Sequence, residues 1–328
     1  MPNGKGRERH ATGGCGPAAA VVCIGGLVVD RTYRALGPVR AGTSNPVTGT
    51  RSFGGVAGNV AINLARLDVA ASLVSMVGDD ESGRALRRHA EELGIDTRGT
   101  GCSAVRTTAE YIALLDVEGD LALGMADMAI FDELDPTRLR AALDQQGSPH
   151  WIFADCNLPP ESLAWLLQHR RAGTARLAVD VVSVQKAERL PHDLVGIDLL
   201  FLNRDEASAL LDRPADDLEP ADAIAGLLRR GPGAVLLTLG TEGLALGTQS
   251  DMVRIAACGA DVVNVTGAGD ALVGTTLAYL CSGSTLAEAA RFGIRAAALT
   301  VSYPDGTHPG LSRKHLEDAD SRASAPPG

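Results

Sequence analysis

Asp270 follows the small-residue run Gly267-Ala268-Gly269 and opens an apolar, alanine-rich stretch that reads as a helix through about Cys281. Small residues let a backbone approach a ligand closely, and the unpaired N–H groups at a helix start favour an anion. A carboxylate at such a place repels a bound phosphate unless it has a task there. The task that fits is to take a proton from a hydroxyl while the amides hold the negative charge that develops. Those are the requirements of phosphoryl transfer to an alcohol. A glycine-rich strand-to-helix turn, with Asp270 as a capping residue, is the other reading of the same segment.

Composition limits what surrounds this segment. The chain has 328 residues, 45% hydrophobic and only 3% aromatic, so its core is built from Val, Leu, Ile and Ala. Thirty basic against 40 acidic residues give a net charge of −10. Without a basic stripe, that argues against a nucleic-acid polymer as partner. No apolar run reaches transmembrane length, so no membrane is expected either. The first 17 residues are polar and Gly-rich and lack the apolar centre of a secretory signal. Residues 1–19 read as a disordered leader and 317–328 as a flexible tail. Six cysteines without a C-x-x-C pair suit reduced thiols in a cytoplasm, not a disulfide frame or a zinc site. The histidines show no ligand spacing, so any metal chemistry should use oxygen.

The elements that must position Asp270 follow from periodicity. Ala19 to Val29 is one continuous apolar run ending at Asp30, as a buried strand would be. Gly58 to Leu67 and Glu81 to Leu93 read as helices, the second stopped by Gly94. Ala109–Asp116 and Asp120–Met125 flank a turn and read as a hairpin. Beyond them, apolar strands at Trp151–Ala154, Leu177–Asp180, Leu199–Leu202 and Ala234–Leu239 alternate with helical stretches. Such alternation predicts a mostly parallel sheet covered by helices on both faces, with ligands at the carboxyl ends of the strands. Asp30, Asn157, Asp180, Asn203 and Gly240 all follow apolar runs and are therefore expected on one rim, together with Gly267–Asp270. The polar stretches 31–53 and 105–127 are too short for a second domain and are expected to form a flap over that rim.

Four motifs in order carry a resemblance to a known family. They are Gly54-Gly55-Val56-Ala57-Gly58-Asn59, Asn203-Arg204-Asp205-Glu206, Thr238-Leu239-Gly240-Thr241-Glu242-Gly243 and Thr266-Gly267-Ala268-Gly269-Asp270. From about Val21 to Ser312 the chain resembles the PfkB/ribokinase family of carbohydrate and nucleoside kinases. The resemblance implies an α/β, ribokinase-like fold over residues 20–316 with a small β flap. It implies Asp270 as general base and the amides of Gly267, Ala268 and Gly269 as anion hole. Asp30, with Gly54, Gly55 and Asn59, would bind acceptor hydroxyls, and Asn157 would join them. Asn203, Thr238, Gly240, Gly243 and Lys186 would serve ATP, and Glu206 would organise Mg²⁺ through water. A helix-start acid is the plainer reading of Glu206.

One departure concerns Asn264, where many members of that family have an Asp that supports a monovalent cation. A K⁺ site from Asn264, Thr266 and an Ala296–Ser302 loop is therefore the weaker part of the resemblance. Within the family, Thr43-Ser44-Asn45-Pro46, the segment around Thr108 and the Asp180–Lys186 segment resemble the text of pseudouridine kinases. Ser44, Asn45 and Thr108 offer short donors and acceptors for a uracil edge, or alternatively make the flap turns. Another nucleoside or a pentose remains as acceptor on the same resemblance. A ligand-binding regulator without turnover is the alternative from another class, against which the Asp270 charge speaks. The resemblance also implies a homodimer through the flap, with Tyr111–Leu115 as the pairing edge.

Overall fold

The computed structural model describes residues 20–172 and 175–323. The leader 1–19, with Cys15, and residues 324–328 lie outside the described residues. The chain folds in the order β1 (Val21–Ile24), β2 (Val28–Ala35), β3 (Val47–Gly54), α1 (Val56–Arg66), β4 (Ala71–Val74), β5 (Met76–Gly78) and α2 (Glu81–Glu92). There follow β6 (Gly101–Ser103), β7 (Glu110–Leu115), β8 (Leu121–Asp127), α3 (Pro136–Leu143), β9 (Trp151–Asp155), α4 (Pro160–Ala172), β10 (Arg176–Asp180) and α5 (Val184–Ala187). The last third holds β11 (Leu199–Asn203), α6 (Arg204–Leu211), α7 (Pro220–Leu228), β12 (Ala234–Thr238), β13 (Leu244–Thr248) and β14 (Met252–Ile255). It ends with α8 (Ala268–Cys281), α9 (Leu286–Val301) and α10 (Arg313–Ala323).

Eight strands form the main sheet in the order β14-β13-β12-β11-β10-β9-β1-β4. From β4 to β12 every pairing is parallel, and β13 and β14 add an antiparallel edge. The parallel strands are apolar on both faces because both faces are covered. Alternate residues of β1 show this: Val22 and Ile24 belong to the core on one face, to which α3, α4, α6 and α7 contribute, whereas Val21 and Cys23 belong to the other, with α1, α8 and α9.

A second sheet runs β3-β2-β7-β8 and is built from the two polar stretches. β7 lies between β2 and β8, so Tyr111–Leu115 is an inner strand and cannot be the pairing edge expected for it. The open edges of this sheet are β3 and β8, and β8 exposes Leu121, Leu123 and Met125.

Two other expectations are corrected. The apolar run Ala19–Val29 is two strands, β1 and the start of β2, broken at Gly25-Gly26. The tail expected from residue 317 continues α10 as far as Ala323, where Leu316 is buried and Glu317 accepts a hydrogen bond from Tyr279. Among the described residues all cysteines are unpaired. No described helix is long and apolar enough to cross a membrane.

Candidate active site

Gly267 takes φ 78° and caps α8, a left-handed conformation that a side chain disfavours. A Cβ there would also overlap the backbone of Gly306. The turn that aims the start of α8 at solvent is thus fixed by local chemistry. The first-turn amides of Gly269 and Asp270 have no partner within their own helix, and the space beside Gly269 is open. An anion can therefore reach them.

Asp270 is held by Asn59, whose Nδ2 donates to Asp270 Oδ2 at 2.7 Å. Asn59 lies in the first turn of α1 and is 4% exposed. It was expected as an acceptor ligand; one N–H of its amide goes to Asp270, while its Oδ1 is buried without a partner among the described residues. This leaves Oδ1 of Asp270 as the oxygen free to meet a hydroxyl. Burial is the main cause that raises the Asp270 carboxyl to about 7. The Asn59 bond opposes the rise, and the charges of Asp155 and Asp30 add to it.

Asp30 is not at the end of a main-sheet strand, as the apolar run suggested. It is the third residue of β2 in the second sheet, opposite Ser52 and beside Tyr111. Gly54 makes room for it: a Cβ at Gly54 would overlap Asp30 Oδ2 and lie 3.6 Å from Asn59 Nδ2. Asp30, Gly54, Asn59 and Asp270 are therefore neighbours in one cluster. Burial raises Asp30 to about 6.

Asn203 and Glu206 form a capping box at the start of α6. The Glu206 amide donates to Asn203 Oδ1 at 2.9 Å, and Asn203 donates to both carboxylate oxygens at 2.9 Å each. The capping role noted for Glu206 is thus present. It does not exhaust the residue, because Glu206 is 5% exposed and its carboxyl is pushed up by burial. Asp180, at the end of β10, is raised well above the usual carboxylate range by burial and by Glu206, Asp270 and Asp155. The described residues contain no group of three His, Cys, Asp or Glu side chains set to hold a metal. Two carboxylates close enough for Glu206 to raise Asp180 do suit a divalent cation held largely through water. Thr238 ends β12, and Gly240 and Gly243 bracket the tight turn before β13, with open space beside Gly240.

Several expected residues are otherwise engaged. Lys186 donates to Asn157 Oδ1 and feels the charges of Asp155 and Asp180, so it belongs with Asn157 rather than with the Gly240 turn. Asn45 accepts from the Arg40 amide at 2.8 Å and donates to the carbonyls of Arg40 and Thr43. It shapes its own loop, as the turn reading held, and Ser44 beside it is exposed. The Thr108 hydroxyl donates to Asp80 Oδ1 at 2.7 Å and accepts from the Gly78 amide at 2.9 Å. It locks the β5–α2 corner, and its single donor is spent there.

The K⁺ reading of Asn264 and Thr266 does not fit the donor set. Asn264 Oδ1 accepts the Thr266 amide at 2.9 Å, and its Nδ2 donates to the Pro304 carbonyl at 2.7 Å. A backbone N–H can only donate and a carbonyl only accept, so this orientation is the one the network requires. The amide bridges the two turns itself and presents a donor where a cation would need an acceptor. Nor is 296–302 a loop, because α9 runs to Val301.

One residue escaped the sequence reading. Asp155, the last residue of β9, is fully buried and accepts amides from Gly26, Ala57 and Asn157 at 2.8, 3.0 and 2.8 Å. Its signal was a charged residue closing the apolar run Trp151–Ala154.

The sequence pattern described as "pfkB family carbohydrate kinase" matches residues 18–313. The chain is 29% identical to the pseudouridine kinase of Escherichia coli (strain K12) over 294 residues, 89% of this chain and 93% of that one. Among solved structures, a carbohydrate kinase from Agrobacterium tumefaciens matches at 29% identity and a TM-score of 0.80, covering 91% of this chain and 95% of its own. Arabidopsis thaliana ribokinase, determined with ribose and ATP, shares the fold at a TM-score of 0.78 and 22% identity over 92% of this chain and 98% of its own.

Proposed function

The chain belongs to the pfkB family of carbohydrate kinases, and on that premise we propose that it transfers the γ-phosphoryl group of ATP to the 5′-hydroxyl of pseudouridine. The observation that carries the kinase reading is the cluster itself: a half-buried Asp270 with one oxygen tied to Asn59, beside an open helix N-terminus and close enough to Asp30 to feel its charge. Asp30 holds two sugar hydroxyls, which turns the 5′-hydroxyl toward Asp270 Oδ1. Asp270 takes the hydroxyl proton as the acceptor oxygen bonds to the γ-phosphorus and the bond to the β–γ bridging oxygen breaks. The amides at the start of α8 meet the charge on the transferred group. Mg²⁺, held through water by Glu206 with Asp180 nearby, supplies positive charge to the phosphates when bound.

The pseudouridine choice is supported by the likeness to the Escherichia coli enzyme over nearly the whole of both chains. Against it, Asn45 and Thr108 are committed within the chain, which favours a pentose or another nucleoside as the second reading. ADP release from Mg-ATP with a panel of pseudouridine, uridine, adenosine and ribose separates the two. Pseudouridine differs from uridine by a ring N–H, and a buried acceptor left unpaired by uridine costs about 1–3 kcal/mol. The expected preference in kcat/KM is therefore about 5- to 150-fold. Equal rates on the two nucleosides, or ribose as the best acceptor, would refute the substrate and leave the kinase standing.

The engaged Asn264 amide has its own consequence. At constant ionic strength, turnover and Tm are expected to be the same in K⁺ as in choline. A several-fold rise in rate on adding K⁺ would show that a cation displaces the Asn264 bridge.

A further inference from the structure

Asp155 stands outside the reacting atoms yet bonds to three backbone segments around the candidate acceptor site. Its Oδ2 accepts the amide of Gly26, in the turn joining β1 to β2, and the amide of Ala57, in the first turn of α1. Its Oδ1 accepts the amide of Asn157, just beyond β9. All three bonds are accepted ones, the pattern of an ionised carboxylate. The surroundings are cut to fit it. Gly25 has φ 140°, and a Cβ there would overlap the Asp155 carboxyl. The Gly25 carbonyl accepts the Ser75 hydroxyl at 2.6 Å, and the Gly26 carbonyl accepts the Gly58 amide at 3.0 Å. One charge thus joins the base of β2, which carries Asp30, to the base of α1, which carries Asn59.

We propose that Asp155 is a positioning residue for the acceptor: it clamps the β1–β2 turn and the start of α1 together, so that Asp30 and the Asn59–Asp270 pair address one substrate. The proposal rests on the kinase reading for its catalytic part and on geometry alone for the clamp. Neutral Asn at this position keeps the shape but turns an N–H₂ toward backbone N–H donors, so at least one of the three amides loses its acceptor.

Two measurements test this. In Asp155→Asn, acceptor KM is expected to rise about tenfold or more, the scale of one lost charge-assisted bond, with ATP KM unchanged. The acid limb of kcat is expected to move to lower pH, because one of the charges that hold Asp270 up is removed. The other groups facing Asp270, namely Asn59 on α1, Asp30 on β2 and Asp180 on β10, are left in place. Equal losses in acceptor and ATP KM with an unmoved limb would reduce Asp155 to scaffolding and overturn the proposal. The second measurement needs no variant: amide hydrogen exchange in the unmutated chain, where Gly26 and Ala57 are expected to exchange slowly without ligand. Exchange there as fast as in the exposed 37–46 loop would overturn the clamp. If the panel of acceptors gives no ADP, the kinase reading falls while the exchange result still decides the clamp.

Discussion

Asp270→Asn is expected to lower kcat by about 10²–10⁴-fold, the usual worth of a positioned general base, with the affinities for ATP and acceptor nearly kept. The amide occupies the same space but cannot take a proton from the hydroxyl. Its orientation is also constrained: Asn59 Nδ2 needs an acceptor, so the new carbonyl oxygen turns to Asn59 and N–H₂ faces the substrate. A donor then stands where the hydroxyl proton must go. The pH dependence in the unmutated chain carries the same assignment. Asp270 works deprotonated and its carboxyl is raised to about 7, so activity should fall as pH drops through 7. Asp30, raised to about 6, must also be ionised to hold the acceptor, so the fall in kcat/KM should steepen below pH 6. A loss below tenfold in Asp270→Asn, measured by ADP release, would remove the residue from the role of base.

Asp30→Ala is expected to act on the acceptor alone. A hydrogen bond to a buried charged group is worth about 1.5–3 kcal/mol, which is about 10- to 150-fold in acceptor KM for one bond lost. The nucleotide residues lie on other elements, at β11–α6 and β12–β13, so ATP affinity measured without acceptor should hold. The lower inflection near pH 6 should vanish with the carboxyl. Calorimetric titration of ATP and initial rates over acceptor concentration check both halves. If ATP and acceptor weaken together, Asp30 holds the second sheet in place and binds nothing.

The residues proposed as base and anion hole stand out in the sequence because their chemistry is local. Five consecutive letters, Thr266 to Asp270, supply the turn, the amides and the carboxylate. The parallel sheet was legible because strands buried on both faces must be apolar along their length, as β1 is and as β9 and β11 are up to their final Asp155 and Asn203. Partnerships across the chain were not. Asn59 was marked as a site residue, but its partner Asp270 is 211 residues away, a contact that no local pattern announces. Asp155 reaches Gly26 over 129 residues and Ala57 over 98. The same contacts explain the misread strand: nothing within Ala19–Val29 breaks its apolar run except two glycines whose bend depends on Asp155. Asn45 and Thr108 were ambiguous because short polar side chains serve a turn and a ligand with the same atoms.

Asp30 and Asp270 stand on different bodies, one on the outlying four-stranded sheet and the other on a helix packed against the main sheet. Neither carboxylate alone makes a working site. A water molecule at the position of the acceptor hydroxyl could meet Asp270, but it offers Asp30 nothing to grip across the gap. On the proposed function, a molecule with a vicinal pair of hydroxyls at one end and a primary hydroxyl at the other would meet both. On that function the split would act as a safeguard against wasted nucleotide: ATP bound without its acceptor would face a carboxylate that has no tethered partner to deprotonate.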